Sequence, residues 1–155
     1  MSFVTALRAT ASALTAQRLR MDVISSNVAN ADTTRTAEGG PYRRRAVVFQ
    51  PGANPSDGRT PFQATLARFR GQSSTADLSQ GVAVTQIVED PAPGRVVYDP
   101  SHPDADAQGM VEYPNVDPMT EMVDLVSASR AYEANVTVAN AIKGMALRAL
   151  DIGKA

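Results

Sequence analysis

Residues 117–152 read DPMTEMVDLVSASRAYEANVTVANAIKGMALRALDI, and this stretch decides the architecture. Asp117 before Pro118 is the start signature of a helix. The carboxylate accepts first-turn N–H groups, and proline occupies a position whose N–H would have no partner. Glu121 and Asp124 in the first two turns suit the positive end of the helix dipole. Arg148 and Lys154 suit the other end, and Gly153 is the expected C′ residue. Met122, Leu125, Tyr132, Val136, Ala139, Ile142, Met145, Ala149 and Ile152 recur at three- and four-residue steps, with Ser129 filling a gap in the row. A helix over 118–152 would be about 52 Å long, several times the usual length in a compact domain.

The other end of the chain is also free of helix breakers, since residues 2–30 contain neither Gly nor Pro. Leu7, Leu14, Met21 and Val28 recur at a spacing of seven, and Phe3, Thr10, Gln17 and Ile24 form the partner row. That is a heptad seam whose second row is half polar. Ser2 is the expected N-cap. Between the two ends, residues 31–117 hold eight of the ten Gly and nine of the ten Pro. Within them, 43–49 (RRRAVVF), 82–88 (VAVTQIV) and 95–98 (RVVY) read as strands, while 62–69 (FQATLARF) reads as a strand or a short helix. Residues 51–61 and 71–81 read as exposed loop, and 99–114 as an extended, turn-rich run. Six of the eight aromatics lie in this middle. Tyr42, Phe49, Tyr98 and Tyr113 are expected to form a small cluster there, so that the middle folds first and the helices close later.

Two helices of this length cannot both be covered by the middle. Their stripes pair with each other as an antiparallel pair, the intervening chain being the return path. The fold class is therefore α+β: long N- and C-terminal helices forming an antiparallel coiled-coil pair, with a small β-rich middle domain. Val4, Ala11, Val23, Ala128, Val138 and Ala146 carry apolar surface round the flanks. An isolated pair would be marginal against the entropy of ordering it. Helices from other chains would cover the surplus; a small bundle that closes on itself is the other arrangement composition allows.

Composition removes most chemistry. Among 155 residues there is no Cys and one His, which excludes disulfides, thiolate metal sites and multi-histidine centres. A net charge of −1 offers no field for nucleic acid. No stretch approaches the apolar length of a membrane span, and the N-terminus lacks the early basic residue and unbroken apolar run of a secretory signal. Pattern alone then gives a cytoplasmic protein, or one exported by a route needing no cleaved signal. The densest polar cluster, Asp99, His102, Asp104 and Asp106, lacks the spacing of a calcium loop and reads as a solvated turn. A hydrolase using His102 and a nearby carboxylate has no nucleophile elbow to support it. Arg43, Arg44 and Arg45 fit an exposed or edge strand; their functional version is contact with an acidic neighbouring subunit. Asn135-Val136-Thr137 is a sequon inside a helix and reads as chance. Asn27 and Asn30 fit capping at a helix exit. Asn135 and Asn140, poor helix formers in mid-helix, can satisfy groups across a helix–helix interface.

Two motifs then place the chain. Residues 12–34, SALTAQRLRMDVISSNVANADTT, resemble the N-terminal motif of the bacterial flagellar axial proteins of rod and hook. Asn115-Val116-Asp117, Glu121-Met122-Val123 and 128–135 (ASRAYEAN) resemble their C-terminal motif. Within that family, Gly40-Pro41-Tyr42-Arg43 with 47–50 (VVFQ), and Val97-Tyr98-Asp99-Pro100 with His102-Pro103, Ala105-Asp106, Gly109 and Val111, are similar to the proximal rod proteins. Residues 51–78 carry no motif of the resemblance and look longer than in its members. The resemblance implies a non-enzymatic subunit of the flagellar basal-body rod, without cofactor or metal. It implies self-assembly with other rod proteins and copies of itself into a hollow helical drive shaft spanning the periplasm. Transit would be through the flagellar type III export apparatus, without a cleaved signal peptide, nucleic acid or membrane insertion. The implied organisation is an N-terminal helix over 1–31 in a coiled-coil layer, a β-rich middle over 32–117 with a long loop at about 51–81, and a C-terminal helix over 118–155. The assembly interface expected on this footing is Leu7, Leu14, Met21, Ile24, Asn27, Val28 and Asn30 with Met122, Leu125, Tyr132, Asn135, Val136, Ile142 and Met145. A small helical adaptor pairing with one partner is the alternative of another class.

Overall fold

Helix α1 runs Phe3–Ala29 and helix α2 runs Pro118–Ile152, with four strands between them in the order β1 (Arg45–Pro51), β2 (Val82–Glu89), β3 (Arg95–Tyr98) and β4 (Met110–Tyr113). The computed structural model describes residues 3–52 and 81–153. The segment 62–69 and nearly all of the two expected loops lie outside the described residues. Pro51 does not begin a loop: it is the last residue of β1. The class is α+β, with terminal helices and small antiparallel sheets.

α2 starts as its sequence dictates. The Asp117 carboxylate accepts the Met119 N–H at 3.1 Å and the Thr120 hydroxyl at 2.6 Å, while its carbonyl accepts the Glu121 N–H at 3.0 Å. The Thr120 hydroxyl, then the Met119 N–H, holds the Asp117 carboxyl below the ordinary aspartate value. A depressed carboxyl stabilises the fold above its unfolded pKa, and that stabilisation disappears as pH falls through the folded value. Helix content should therefore fall more steeply below about pH 4 in the parent than in Asp117→Asn, read by circular dichroism from pH 5 to 2.5. At its far end, Gly153 is not the left-handed cap expected. It is absent from the residues with positive φ, and its N–H simply continues the ladder to Ala149 O at 3.2 Å. α1 ends at Ala29, and the next residue, Asn30, donates its side-chain amide to Ser26 O at 2.8 Å while its backbone carbonyl accepts the Thr33 N–H.

β1 and β2 form one two-stranded sheet, β3 and β4 another. At one end of the first, Asp90 N–H donates to Arg44 O; at the other, Gly52 N–H donates to Gly81 O, which is the order of an antiparallel pair. In the second, Arg95 faces Tyr113, Val96 faces Glu112, Val97 faces Val111 and Tyr98 faces Met110. β4 refines the reading of 99–114 as an extended, turn-rich run, since its last part is a paired strand. Only four residues of that run are strand, and turns anchored by Asp99, His102 and Asp106 precede them, so the turn signal masks the strand. Val111, the best-buried apolar side chain among the described residues of the middle, sits on β4.

By contact the chain falls into two units. One gathers Met1–Ala16, Phe49–Thr85 and Tyr132–Ala155, the other Gln17–Val48 and Gln86–Ala131. In the first, Thr10, Ala16 and Ile142 are buried. The Ser12 hydroxyl accepts the Val82 N–H at 3.0 Å, and Gly81, at φ +75°, lies so close to Ser12 and to the Ala9 backbone that a Cβ would collide with both. In the second, Val23, Ile24, Tyr42, Val111 and Ala128 are buried around Asn27 and Glu121. The expected aromatic cluster is corrected. Tyr98 is 67% exposed, Tyr113 faces His102 edge-on with Arg95 over its ring, and Tyr42 turns toward the helices.

A buried polar junction and an open helix face as the candidate functional site

Asn27, Tyr42, Arg44, Asn115, Glu121 and Asp124 come from three stretches far apart in sequence and meet in the second unit. Asn27 and Glu121 are both fully buried. The Asn27 amide uses every hydrogen-bonding site it has. Its Nδ2 donates to Arg45 O at 2.8 Å and to Glu121 Oε2 at 2.9 Å. Its Oδ1 accepts the Tyr42 hydroxyl at 2.9 Å and the Arg45 N–H at 3.0 Å. The other Glu121 oxygen accepts Arg44 Nε at 2.6 Å, a charge-assisted bond. The rest of the Arg44 guanidinium reaches Asp124 at 3.6 Å, and Arg20 reaches the second Asp124 oxygen at 3.4 Å. The Arg44 N–H donates to Asn115 Oδ1 at 2.9 Å. Charges alternate Arg20, Asp124, Arg44, Glu121 through the junction. No buried charge here lacks a counter-charge, which is the condition for leaving ions out of water.

The junction also orders the helices locally. Asn27 bonds Glu121 and Arg20 bonds Asp124, so a later residue of α1 meets an earlier residue of α2.

Sequence reading assigned Glu121 to the helix dipole, Asn27 to capping and the arginines to an exposed or edge strand, with an acidic neighbouring subunit as their functional partner. Instead Arg44 pairs with Glu121 and Asp124, and Arg45 pairs with Glu89 across β1 and β2 at 3.0 Å, all within the chain. Tyr42, Arg44, Glu121 and Asp124 were not expected to form a site. The available signal was spacing. Glu121, Ala128, Asn135 and Ile142 lie seven apart on α2, and the first, second and fourth are buried. An acid on such a row requires a cation.

Of the expected interface residues, Ile24, Asn27 and Ile142 are buried within the chain. Leu14, Met21, Val28, Asn30, Leu125, Tyr132, Asn135 and Val136 are half-buried. Leu7, Met122 and Met145 are exposed. Asn140 is exposed, so it does not cross an interface within the chain. On α1 the deepest burial follows Thr10, Ala16, Val23, Ile24 and Asn27 rather than the more apolar row of Leu7, Leu14, Met21 and Val28. On α2 the side opposite Glu121 and Ala128 is open. Met119, Met122, Val123 and Val126, one helical face by their spacing, are 71%, 51%, 69% and 53% exposed. Nearer the end of α2, Met145, Leu147 and Leu150 are also exposed, as are Phe3, Val4 and Leu7 on α1.

The polar run after β3 serves its own turns. Asp99 accepts the Ser101 hydroxyl at 2.6 Å and its N–H at 3.0 Å, the hydroxyl being the larger cause of its lowered pKa. Asp106 accepts the Gln108 and Met110 N–H groups. His102 Nδ1 accepts the Asp104 N–H at 3.1 Å, and Asp104 in turn accepts the Thr34 hydroxyl at 2.7 Å. Asp99, His102 and Asp106 thus fasten turns, while Asp104 ties the run to Thr34 and Arg35. No helix of the described residues is long and apolar enough to cross a membrane.

Comparison with known proteins agrees with the resemblance at both ends. Residues 7–35 match the family model "Flagella basal body rod protein", and residues 107–152 match "Flagellar basal body rod FlgEFG protein C-terminal". Over nearly its whole length the chain is similar to proteins named "Flagellar basal-body rod protein FlgC". It is 53% identical to that of Bacillus subtilis (strain 168) over 152 residues, covering 96% of each chain. It is 45% identical to that of Borreliella burgdorferi over 156 residues, 98% of each, and 43% identical to that of Escherichia coli O6:H1 over 143 residues, 92% of each.

Proposed function

The chain belongs to the FlgC family of flagellar basal-body rod proteins and is a structural subunit of that rod; from this premise we propose how it is used. Full-length similarity to FlgC proteins is the observation that carries the reading. The terminal helices pair antiparallel as the coiled-coil layer of the rod, and the strands stand outside that layer. The order of the Asn27–Glu121 and Arg20–Asp124 bonds supports the antiparallel sense, and the seven-residue burial row on α2 supports coiled-coil packing. The exposed apolar face of α2 is a contiguous row of Met and Val side chains, and is the surface that other rod proteins and further copies of this chain would cover. Leu7, Met122 and Met145 act between chains, whereas Ile24, Asn27 and Ile142 act within one. The subunit does no catalysis: it transmits torque as part of a hollow helical shaft. It reaches its place across the periplasm through the flagellar export apparatus. The relatives' names describe structural rod proteins.

The test is purification of basal bodies from cells carrying the chain with an epitope tag, after deletion of the host copy. Tagged protein in the rod fraction and restored motility are expected. Tagged protein found only in the soluble fraction, with cells that stay non-motile despite normal levels, would refute the assignment.

A further inference from the structure

The geometry points to Asn27 and Glu121 as a register lock: they select one pairing of α1 with α2 over a pairing slipped by seven residues. This rests on the antiparallel pairing proposed above. The slipped pairing is a real competitor. α2 has 35 residues and α1 has 27, so α1 stays covered along its whole length after a slip of seven. The apolar pattern discriminates weakly, because the buried stripe of α1 is built from Thr10, Ala16, Val23 and Ile24, which are small or branched, with no large side chain to mark one position. Since α2 begins at Pro118, only a slip toward its C-terminus is available.

In the slipped register Asn27 would face Ala128, one heptad beyond Glu121 and equally buried. A methyl group accepts nothing, so one donor of Nδ2 loses its partner. Glu121 would lose its Asn27 bond, and Arg20 would face Ala131 in place of Asp124. Tyr42 and the Arg45 backbone hold Asn27 Oδ1, so the lock is keyed to β1 as well as to α2. A single buried amide with all four positions used is the device by which polar residues fix register in helix pairs at a cost in stability.

The chain contains no cysteine, so introduced thiols can be cross-linked without interference. Two full-length probes are made, Arg20→Cys with Asp124→Cys for the present register and Arg20→Cys with Ala131→Cys for the slipped one, about 10 Å apart along α2. Each is combined with the lock-free pair Asn27→Leu and Glu121→Leu, and separately with Glu121→Gln. A short bismaleimide is added in trimethylamine N-oxide, which strengthens burial, at a concentration where circular dichroism reports helix. With the native lock, and with Glu121→Gln, only the 20/124 pair should link. Without the lock, both pairs should link to comparable extent. If 20/124 fails with the native lock, helix pairing itself is wrong. If the lock-free chain links only 20/124, or never becomes helical at any osmolyte concentration, the residues supply stability rather than register and the inference is overturned. Slippage in Glu121→Gln would also overturn it, since that side chain still accepts from Asn27.

Discussion

Arg44→Ala is expected to cost about 3–5 kcal/mol of stability, the range for breaking a buried ion pair from one side. The loss is large against the 5–15 kcal/mol that holds a typical domain folded. Its cause is the group left behind. The Glu121 side chain is 1% exposed, and without Arg44 Nε its charge would have only the Asn27 amide. Asp124 would keep only its 3.4 Å contact to Arg20. Arg44→Lys should lie between parent and alanine, because an ammonium cannot reach Glu121 and Asp124 with the same planar fork. Joint replacement, Arg44→Met with Glu121→Leu, should cost far less than Arg44→Ala alone, since no desolvated charge remains. Urea titration followed by circular dichroism measures all three. Equal midpoints for parent and Arg44→Ala would show that Glu121 is not held by Arg44.

Met122→Asp and Val123→Asp should abolish rod assembly while leaving the free chain as helical as the parent. Both side chains are more than half exposed in the single chain, so a carboxylate there stays hydrated until a neighbour arrives. At a dry contact between chains the same carboxylate would lose its water without gaining a partner, at a cost of several kcal/mol per site. Ile142→Asp provides the contrast: Ile142 is buried within the chain, so its loss should lower helix content before any assembly. Circular dichroism of the free protein, with counts of rods in purified basal bodies, separates the two classes. Normal rods in cells carrying Met122→Asp would remove that face from the assembly surface.

Local signals made the helices legible. The Asp117-Pro118 start and the breaker-free runs at both ends carry their own boundaries, and α2 begins and ends where its sequence predicts. β3 was legible for the same reason, as a β-branched run between breakers. β4 was not, because its strand character appears only when Val97 is beside Val111. The junction was illegible for a related reason. Glu121 in a first turn and Arg44 on a strand each have an ordinary solvent-facing explanation, and only the tertiary fold puts their charges together. The place of Tyr42 was illegible for the same reason: its hydroxyl donates to Asn27 of α1, a partner that only the tertiary fold brings to it.

Gly52 and Gly81 hold the two ends of the intervening segment together with a single backbone hydrogen bond of 2.9 Å. The described chain departs from β1 at Gly52 and enters β2 through Gly81 at one point, so the pairing of the two strands does not depend on how many residues join them. Closing a longer excursion costs only logarithmically more. The place is therefore a port: sequence can be exchanged there, or a reporter domain spliced in, without shifting β1 against β2. Its rim is strict where its contents are free. At 81 the backbone has positive φ and lies against Ser12 and Ala9, so any graft must hand the chain back to a glycine.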